Sequence, residues 1–247
     1  MRVGVVYFPG SNCEQDAAYA CRQVGLEAEY VWHKRSQIEG FDALILPGGF
    51  SYGDHLRCGA IACSSPIMPA VEQFAGDGGL VLGICNGFQI LAEMGMLPGT
   101  LLANDGLKFR CQDTVMRVER NDSPFTNACE VGQVLRINMA HYEGNYFAEP
   151  DALQRLEANG QVLMRFASAA DGPGGAFNPN GSIADIAAVS NDVGNVMGLM
   201  PHPERAMRSA LGSTDGRFVF ESLRRAIEAR GRGQANAVTQ KGEPARV

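Results

Sequence analysis

In Gly83-Ile84-Cys85-Asn86-Gly87 a cysteine stands two residues from a glycine on each side. An apolar run, 79–85, leads into it, and a helical pattern over 86–94 follows at once. This is the G-x-nucleophile-x-G layout of a strand–turn–helix elbow, which holds a nucleophile in a strained backbone conformation above a sheet. The glycines serve sterics, because the strand and helix backbones meet where a Cβ would clash. The start of a helix favours negative charge, so a cysteine there is suited to act as a thiolate. The N–H of Asn86 would face an oxyanion forming on a substrate. Taken alone, the pentapeptide fits equally well a small buried cysteine at a glycine-rich turn.

A thiolate attacking an acyl group needs a base, and the base needs an orienting partner. Of the four histidines, His202 in Pro201-His202-Pro203-Glu204 is the candidate. Pro203 pushes His202 toward extended backbone, and in an extended segment residues i and i+2 share a side. Glu204 is then expected to steady the imidazole. His33 and His55 read as ordinary loop histidines, and His141 in "NMAHYEGNY" is undecided. Gly48 and Gly49 in "LPGGFSYGD" offer a backbone without bulk for close approach to a substrate, although taken alone they fit a plain Pro-Gly turn better.

These residues need a scaffold. Apolar strand-like runs at 3–8, 27–32, 41–46 and 79–85 alternate with helical patterns at 14–24, 57–74 (broken near Pro66) and 86–94. That order predicts an α/β fold with a mainly parallel central sheet flanked by helices, ligands binding at the carboxyl ends of its strands. From about residue 100 the texture changes. Stretches 108–120, 133–144, 160–168, 181–191 and 195–204 read as further strands, the first two alternating in the antiparallel manner. An amphipathic helix is expected over 218–229, with Ser213, Thr214 and Asp215 as N-cap candidates. Residues 170–181 read as a loop. The whole reads as one domain over 1–230 followed by a flexible tail, 231–247.

Of the 247 residues, 45% are hydrophobic and 19% charged, enough to bury a large core, and the net charge is −6. No basic stripe marks a nucleic-acid partner. No run approaches the ~20 apolar residues of a membrane span, and the apolar run at the start is too short for a signal peptide, so the chain reads as cytoplasmic. The seven cysteines contain no C-x-x-C pair, which argues against a zinc knuckle, a dithiol redox motif or a disulfide framework. Six of them, Cys13 included, read as buried small hydrophobes.

Leu46-Pro47-Gly48-Gly49-Phe50, Gly83 to Gln89 and Pro201 to Glu204 together resemble the three signatures of the class I (triad) glutamine amidotransferases, a flavodoxin-like α/β family. The stretches "FPGSNCEQDA", "PGGFSYGDHLRCGAIA", "FNPNGS" and "GNVMGLMPHPER" resemble, within that family, glutaminase subunits that serve purine biosynthesis. The likeness covers residues 1–228. Tyr142 departs from it, as a smaller residue is expected there, and the loop 171–175 looks longer than the common pattern.

The resemblance implies Cys85 as nucleophile on the side-chain amide of L-glutamine, His202 as base and acid, and Glu204 as the orienting carboxylate. It implies Gly49 and Asn86 as backbone oxyanion donors and Gln89 as a residue that holds glutamine. It implies that the ammonia passes to a large synthetase subunit, bridged by a small third subunit, for ATP-dependent amidination of formylglycinamide ribonucleotide. No G-x-x-x-x-G-K-[ST] motif occurs, so ATP and Mg would belong to that synthetase, with no cofactor or metal in this chain. Two other readings fit less. A cysteine-type α/β-hydrolase places its acid before its histidine, and a redox sensor built on Cys85 has no use for Pro-His-Pro-Glu.

Overall fold

The computed structural model describes the backbone of residues 1–167 and 177–241, and side chains as far as residue 232. The loop at 171–175, and most of the longer loop expected over 170–181, lie outside the described residues. The first half alternates as the sequence predicts: β1 (Arg2–Tyr7), α1 (Glu14–Gln23), β2 (Glu27–Trp32), β3 (Ala43–Leu46), α2 (Met68–Gly76), β4 (Leu80–Ile84) and α3 (Asn86–Glu93). The second half holds β5 (Thr100–Ala103), β6 (Arg110–Val118), β7 (Val134–His141), β8 (Glu143–Phe147), α4 (Pro150–Ala158), β9 (Val162–Phe166), β10 (Ile186–Ser190), β11 (Val196–Leu199) and α5 (Arg217–Lys241).

Among the described residues, nine strands form one mixed sheet in the order β2-β1-β3-β4-β11-β10-β9-β6-β7. The stretch from β2 to β11 is parallel. From β11 onward each pairing is antiparallel. The texture change near residue 100 therefore marks a change of strand direction within a single sheet. β5 and β8 pair separately as an antiparallel ribbon.

The strand sequences follow from their surroundings. All five residues of β4 are buried, and helices α2 and α3 pack on it, so it is apolar throughout, as a strand with covered faces must be. β7 buries only every second residue, Leu135, Ile137, Met139 and His141, the period-two pattern of a half-buried strand. His141 thus lies on the inward face. α3 packs on β3, β4 and β11, and α1 on β1, β2 and α5.

Several expected boundaries differ. Residues 57–74 hold only a short 3-10 turn at Ala62–Ser64 and then α2, with the break at Ser65–Ile67. β5 and α4 were not expected. The closing helix continues past 229 and 230 to Lys241, through residues that had read as tail; Ala, Arg and Gln there are good helix formers, and no proline interrupts them. Asp215 does not cap that helix with its side chain, which instead accepts the Arg136 N–H of β7 at 2.8 Å.

Gly198 on β11 lies under the ring of Phe88, where a Cβ would come 2.1 Å from Cδ2. Phe88 is fully buried and has no free direction in which to move. Gly198→Ala should lower stability by about 1–3 kcal/mol in urea unfolding. Gly76→Ala, where nothing lies within 4 Å of the new methyl, should leave stability unchanged or raise it by about 0.5–1 kcal/mol.

Candidate active site

Cys85 joins β4 to α3 with φ 50° and ψ −104°. A positive φ at a residue other than glycine costs about 1–3 kcal/mol and persists only where the surroundings impose it. Here they do. The Cys85 N–H donates to the Leu199 carbonyl of β11 at 2.8 Å, and the Gln89 N–H closes the first turn of α3 on the Cys85 carbonyl at 3.0 Å. A Cβ on Gly87 would fall 1.9 Å from the Leu46 carbonyl oxygen, and one on Gly83 would fall 2.7 Å from that of Gly87. The two elbow glycines therefore sit where β3, β4 and α3 touch, as the motif predicts.

His202 and Glu204 arrive on the far side of β11. His202 stands at φ −103° and ψ 85°, short of the extended region, and Pro203–Arg205 then forms a 3-10 turn and does not continue the strand. The shared side expected from an extended i, i+2 pair is reached instead by this turn. His202 Nδ1 donates to Glu204 Oε1 at 2.6 Å, and both side chains are almost wholly buried. Burial opposes a charge on His202, but Glu204 and Cys85 outweigh it and raise its pKa well above the ordinary imidazole value. With Nδ1 held, Nε2 makes no hydrogen bond among the described residues, and Cys85 is near enough to contribute to the raised His202 pKa. The structure thus brings together Cys85, His202 and Glu204 from positions far apart in the sequence.

The two expected backbone donors are without backbone acceptors among the described residues. Asn86 is the first residue of α3, so its N–H has no intrahelical acceptor. Gly49 has φ 150°, and a Cβ there would come 2.6 Å from Ser11 Cα. Its neighbours are engaged: the Gly48 carbonyl accepts from Asn12 and Cys13, and the Phe50 N–H donates to Gly10. Among the described residues nothing accepts the Gly49 N–H.

Gln89 is buried, and both ends of its amide are occupied. Nε2 donates to the Glu143 carbonyl at 2.5 Å, and Oε1 accepts from Asn86 Nδ2 at 2.9 Å. Asn86 Oδ1 accepts the Ser51 N–H at 3.2 Å. The Asn86 side chain therefore ties the elbow to the Gly49 loop and to Gln89, a role its place in the motif did not suggest.

His141 is buried beside the site. Asn104 donates to the His141 carbonyl at 2.8 Å and accepts from His141 Nδ1 at 3.0 Å. Burial, with the nearby His202, lowers the His141 pKa to about 3. The adjoining Ala140 carbonyl lies 3.7 Å from Cys85 Sγ. Tyr142, the departure noted in the sequence, is exposed. His33 bonds to Tyr52 at 2.9 Å.

Cys13 had been set aside with the other cysteines. Its Sγ lies 3.9 Å from His202 Nδ1 and accepts from Arg205 Nη2 at 2.9 Å. The available signal was its place just after β1, at the strand-end edge of the parallel sheet where Cys85 also stands. Cys13, His202 and Glu204 bring possible ligand atoms within 4.8 Å of one another. However, His202 Nδ1 is committed to Glu204, and the guanidinium on Cys13 would repel a metal cation.

Residues 1–221 match the CobB/CobQ-like glutamine amidotransferase domain, and the chain belongs to that family. It is 55% identical over 223 residues to the phosphoribosylformylglycinamidine synthase subunit PurQ of Salinibacter ruber, covering 90% of this chain and 95% of the relative. It is 53% identical over 227 residues to PurQ of Thermus thermophilus, covering 92% of this chain and 99% of the relative. Among solved structures, that of PurLQS from Thermotoga maritima superposes with a TM-score of 0.81 at 43% identity, over 92% of this chain and 98% of the matched one.

A histidine whose folded pKa is depressed stabilises the fold above its unfolded value and loses that contribution as pH falls. Stability should therefore decline as pH drops from about 6.5 toward about 3, the folded value of His141. In His141→Gln this part of the decline should be missing, as read from urea midpoints across that range.

Proposed function

We propose that this chain is the glutaminase subunit of a phosphoribosylformylglycinamidine synthase. It hydrolyses L-glutamine to glutamate and delivers the ammonia to a synthetase subunit, PurL, in a complex bridged by PurS. The ammonia serves ATP-dependent conversion of formylglycinamide ribonucleotide to formylglycinamidine ribonucleotide in the cytoplasm. The observation that carries this reading is the convergence of the Cys85 elbow with the His202–Glu204 pair in a chain of this family.

In the proposed reaction the proton shared between Cys85 and His202 rests on His202 Nε2, and the Cys85 sulfur attacks the side-chain amide carbon of glutamine. Glu204 holds the imidazolium through Nδ1. The N–H groups of Gly49 and Asn86 stabilise the tetrahedral oxyanion. Collapse expels ammonia with the proton returned from His202, leaving a glutamyl thioester. Water, deprotonated by His202, then attacks the thioester and releases glutamate and the thiol. Gln89 contributes at the substrate side, holding the floor formed by Asn86 and the Glu143 carbonyl. No metal or organic cofactor takes part in this chain; ATP and Mg are used by the synthetase.

Cys85 is 4% exposed and His202 2%, so glutamine cannot reach the thiol without some opening of the rim. Phe50 and Phe109, whose ring centres lie 6.4 Å apart, are exposed beside the Gly49 loop, as is Leu56. Contact of the synthetase with this rim would open the site, so glutaminase activity should be weak alone and stimulated in the complex.

Cys85→Ala should abolish glutamate release in the assembled complex while leaving ammonia-dependent amidination by the synthetase intact. Glu204→Gln should lower glutamate release by at least about 10²-fold. Undiminished glutamine-dependent turnover in Cys85→Ala would refute the assignment.

A further inference from the structure

Behind His202 lies a cluster of groups outside the proposed triad. Cys13 sits at the N-terminal edge of α1 and is fully buried. Its thiol donates to Asn12 Oδ1 at 3.1 Å, and its sulfur accepts from Arg205 Nη2 at 2.9 Å. Burial raises its pKa above the ordinary thiol value, so it is a neutral thiol with one donor and one acceptor in use. A Cβ on Gly48 would meet His202 Cε1 at 2.6 Å and Cys13 Sγ at 3.2 Å. The imidazole is therefore clasped between the Gly48 backbone and this sulfur.

Arg205 directly follows Glu204 in the chain, yet its guanidinium makes no bond to that carboxylate. It turns instead toward Cys13 and toward Asp16 of α1, whose Oδ2 lies 3.9 Å from Nε. Glu204 Oε2 is buried with no partner among the described residues. A guanidinium beside an unpartnered buried carboxylate oxygen would ordinarily pair with it. Something holds it away.

We propose that Cys13, with Asp16, is a positioning residue that tethers Arg205 off Glu204, leaving the carboxylate undivided for His202. The idea rests on the glutaminase reading above. A carboxylate shared with Arg205 would attract the imidazolium less, and His202 would give up its proton at lower pH. The charged and titratable groups that face His202 are Glu204 and Arg205 on its own turn, Cys13 and Asp16 at α1, Cys85 at the elbow and His141 on β7. Among these, Cys13 alone contacts both the imidazole and the neighbouring cation.

The test follows glutamate release by the full chain in complex with its synthetase and bridging subunits, across pH. In Cys13→Ala, kcat should fall about tenfold with KM for glutamine within about twofold, and the alkaline limb of kcat should move about one unit lower. Cys13→Ser, which keeps a donor and an acceptor, should restore both. In an Arg205→Gln background the effect of Cys13→Ala should vanish, since there is no guanidinium left to hold. Arg205→Gln alone should move the alkaline limb upward, and it decides the matter if Cys13→Ala does not fold. An unmoved limb in Cys13→Ala or Arg205→Gln, or the same Cys13→Ala shift in both backgrounds, overturns the proposal. Cys85→Ala run alongside separates the failures: if it remains active, the glutaminase reading has failed; if it is inactive, a negative result concerns Cys13 alone.

Discussion

The site depends on one close approach, that of the Gly87 backbone to the Leu46 carbonyl. It brings the start of α3 down onto the ends of β3 and β4, and only a residue without a side chain permits it. Once the helix begins there, Cys85 has no relaxed conformation available and is held at positive φ with its sulfur directed past Ala140. The same descent of the helix places the Asn86 side chain against the loop after Gly49. Nucleophile and elbow backbone are thus fixed by one packing constraint, and the Asn86 side chain ties Gln89 to it.

The other half of the site comes from a different kind of order. His202 leaves β11 with its N–H on the Asn138 carbonyl of β7 at 2.8 Å, and the following turn is roofed by α5. A Cβ at Gly216 would fall 1.9 Å from the Pro203 carbonyl, so the start of α5 lies directly on Pro-His-Pro-Glu. With the histidine–carboxylate pair closed off from water, the attraction between its members is stronger than it would be at the surface. This is why His202 holds a proton despite its burial, while His141, equally buried but bonded to the neutral Asn104 amide and lying near the charged His202, does not.

What the sequence made legible follows from how local each determinant is. The elbow and the Pro-His-Pro-Glu turn are written in consecutive residues, and glycine or proline at fixed offsets leaves the backbone few choices. The parallel half of the sheet was legible for the same reason, since covered strands are apolar from end to end. β5 and α4 were not, because short, partly exposed elements take their form from pairing or packing partners that lie far off in the chain. Cys13 was hidden more deeply. Only its place just after β1 sets it apart from Cys21, and its neighbours His202 and Arg205 lie about 190 residues on. The occupied amide of Gln89 was equally out of reach, since its acceptor belongs to β8.

The place of β11 in the sheet bears on the order in which the molecule can form. β4, which carries the thiol, is hydrogen-bonded on one side by β3 and on the other by β11, and more than a hundred residues separate β4 from β11. During synthesis, β1 to β4 can assemble with α1 to α3, but the β4 flank stays open until the chain beyond residue 199 has emerged. An unpaired apolar strand is the kind of edge on which chains aggregate, and pairing across so long a loop is slow. The Leu199 carbonyl that anchors the Cys85 N–H comes with that last strand, as does the turn bearing His202. The half-made molecule therefore lacks the features that would let its thiol react, and the reactive centre is completed in the same step that seals the sheet.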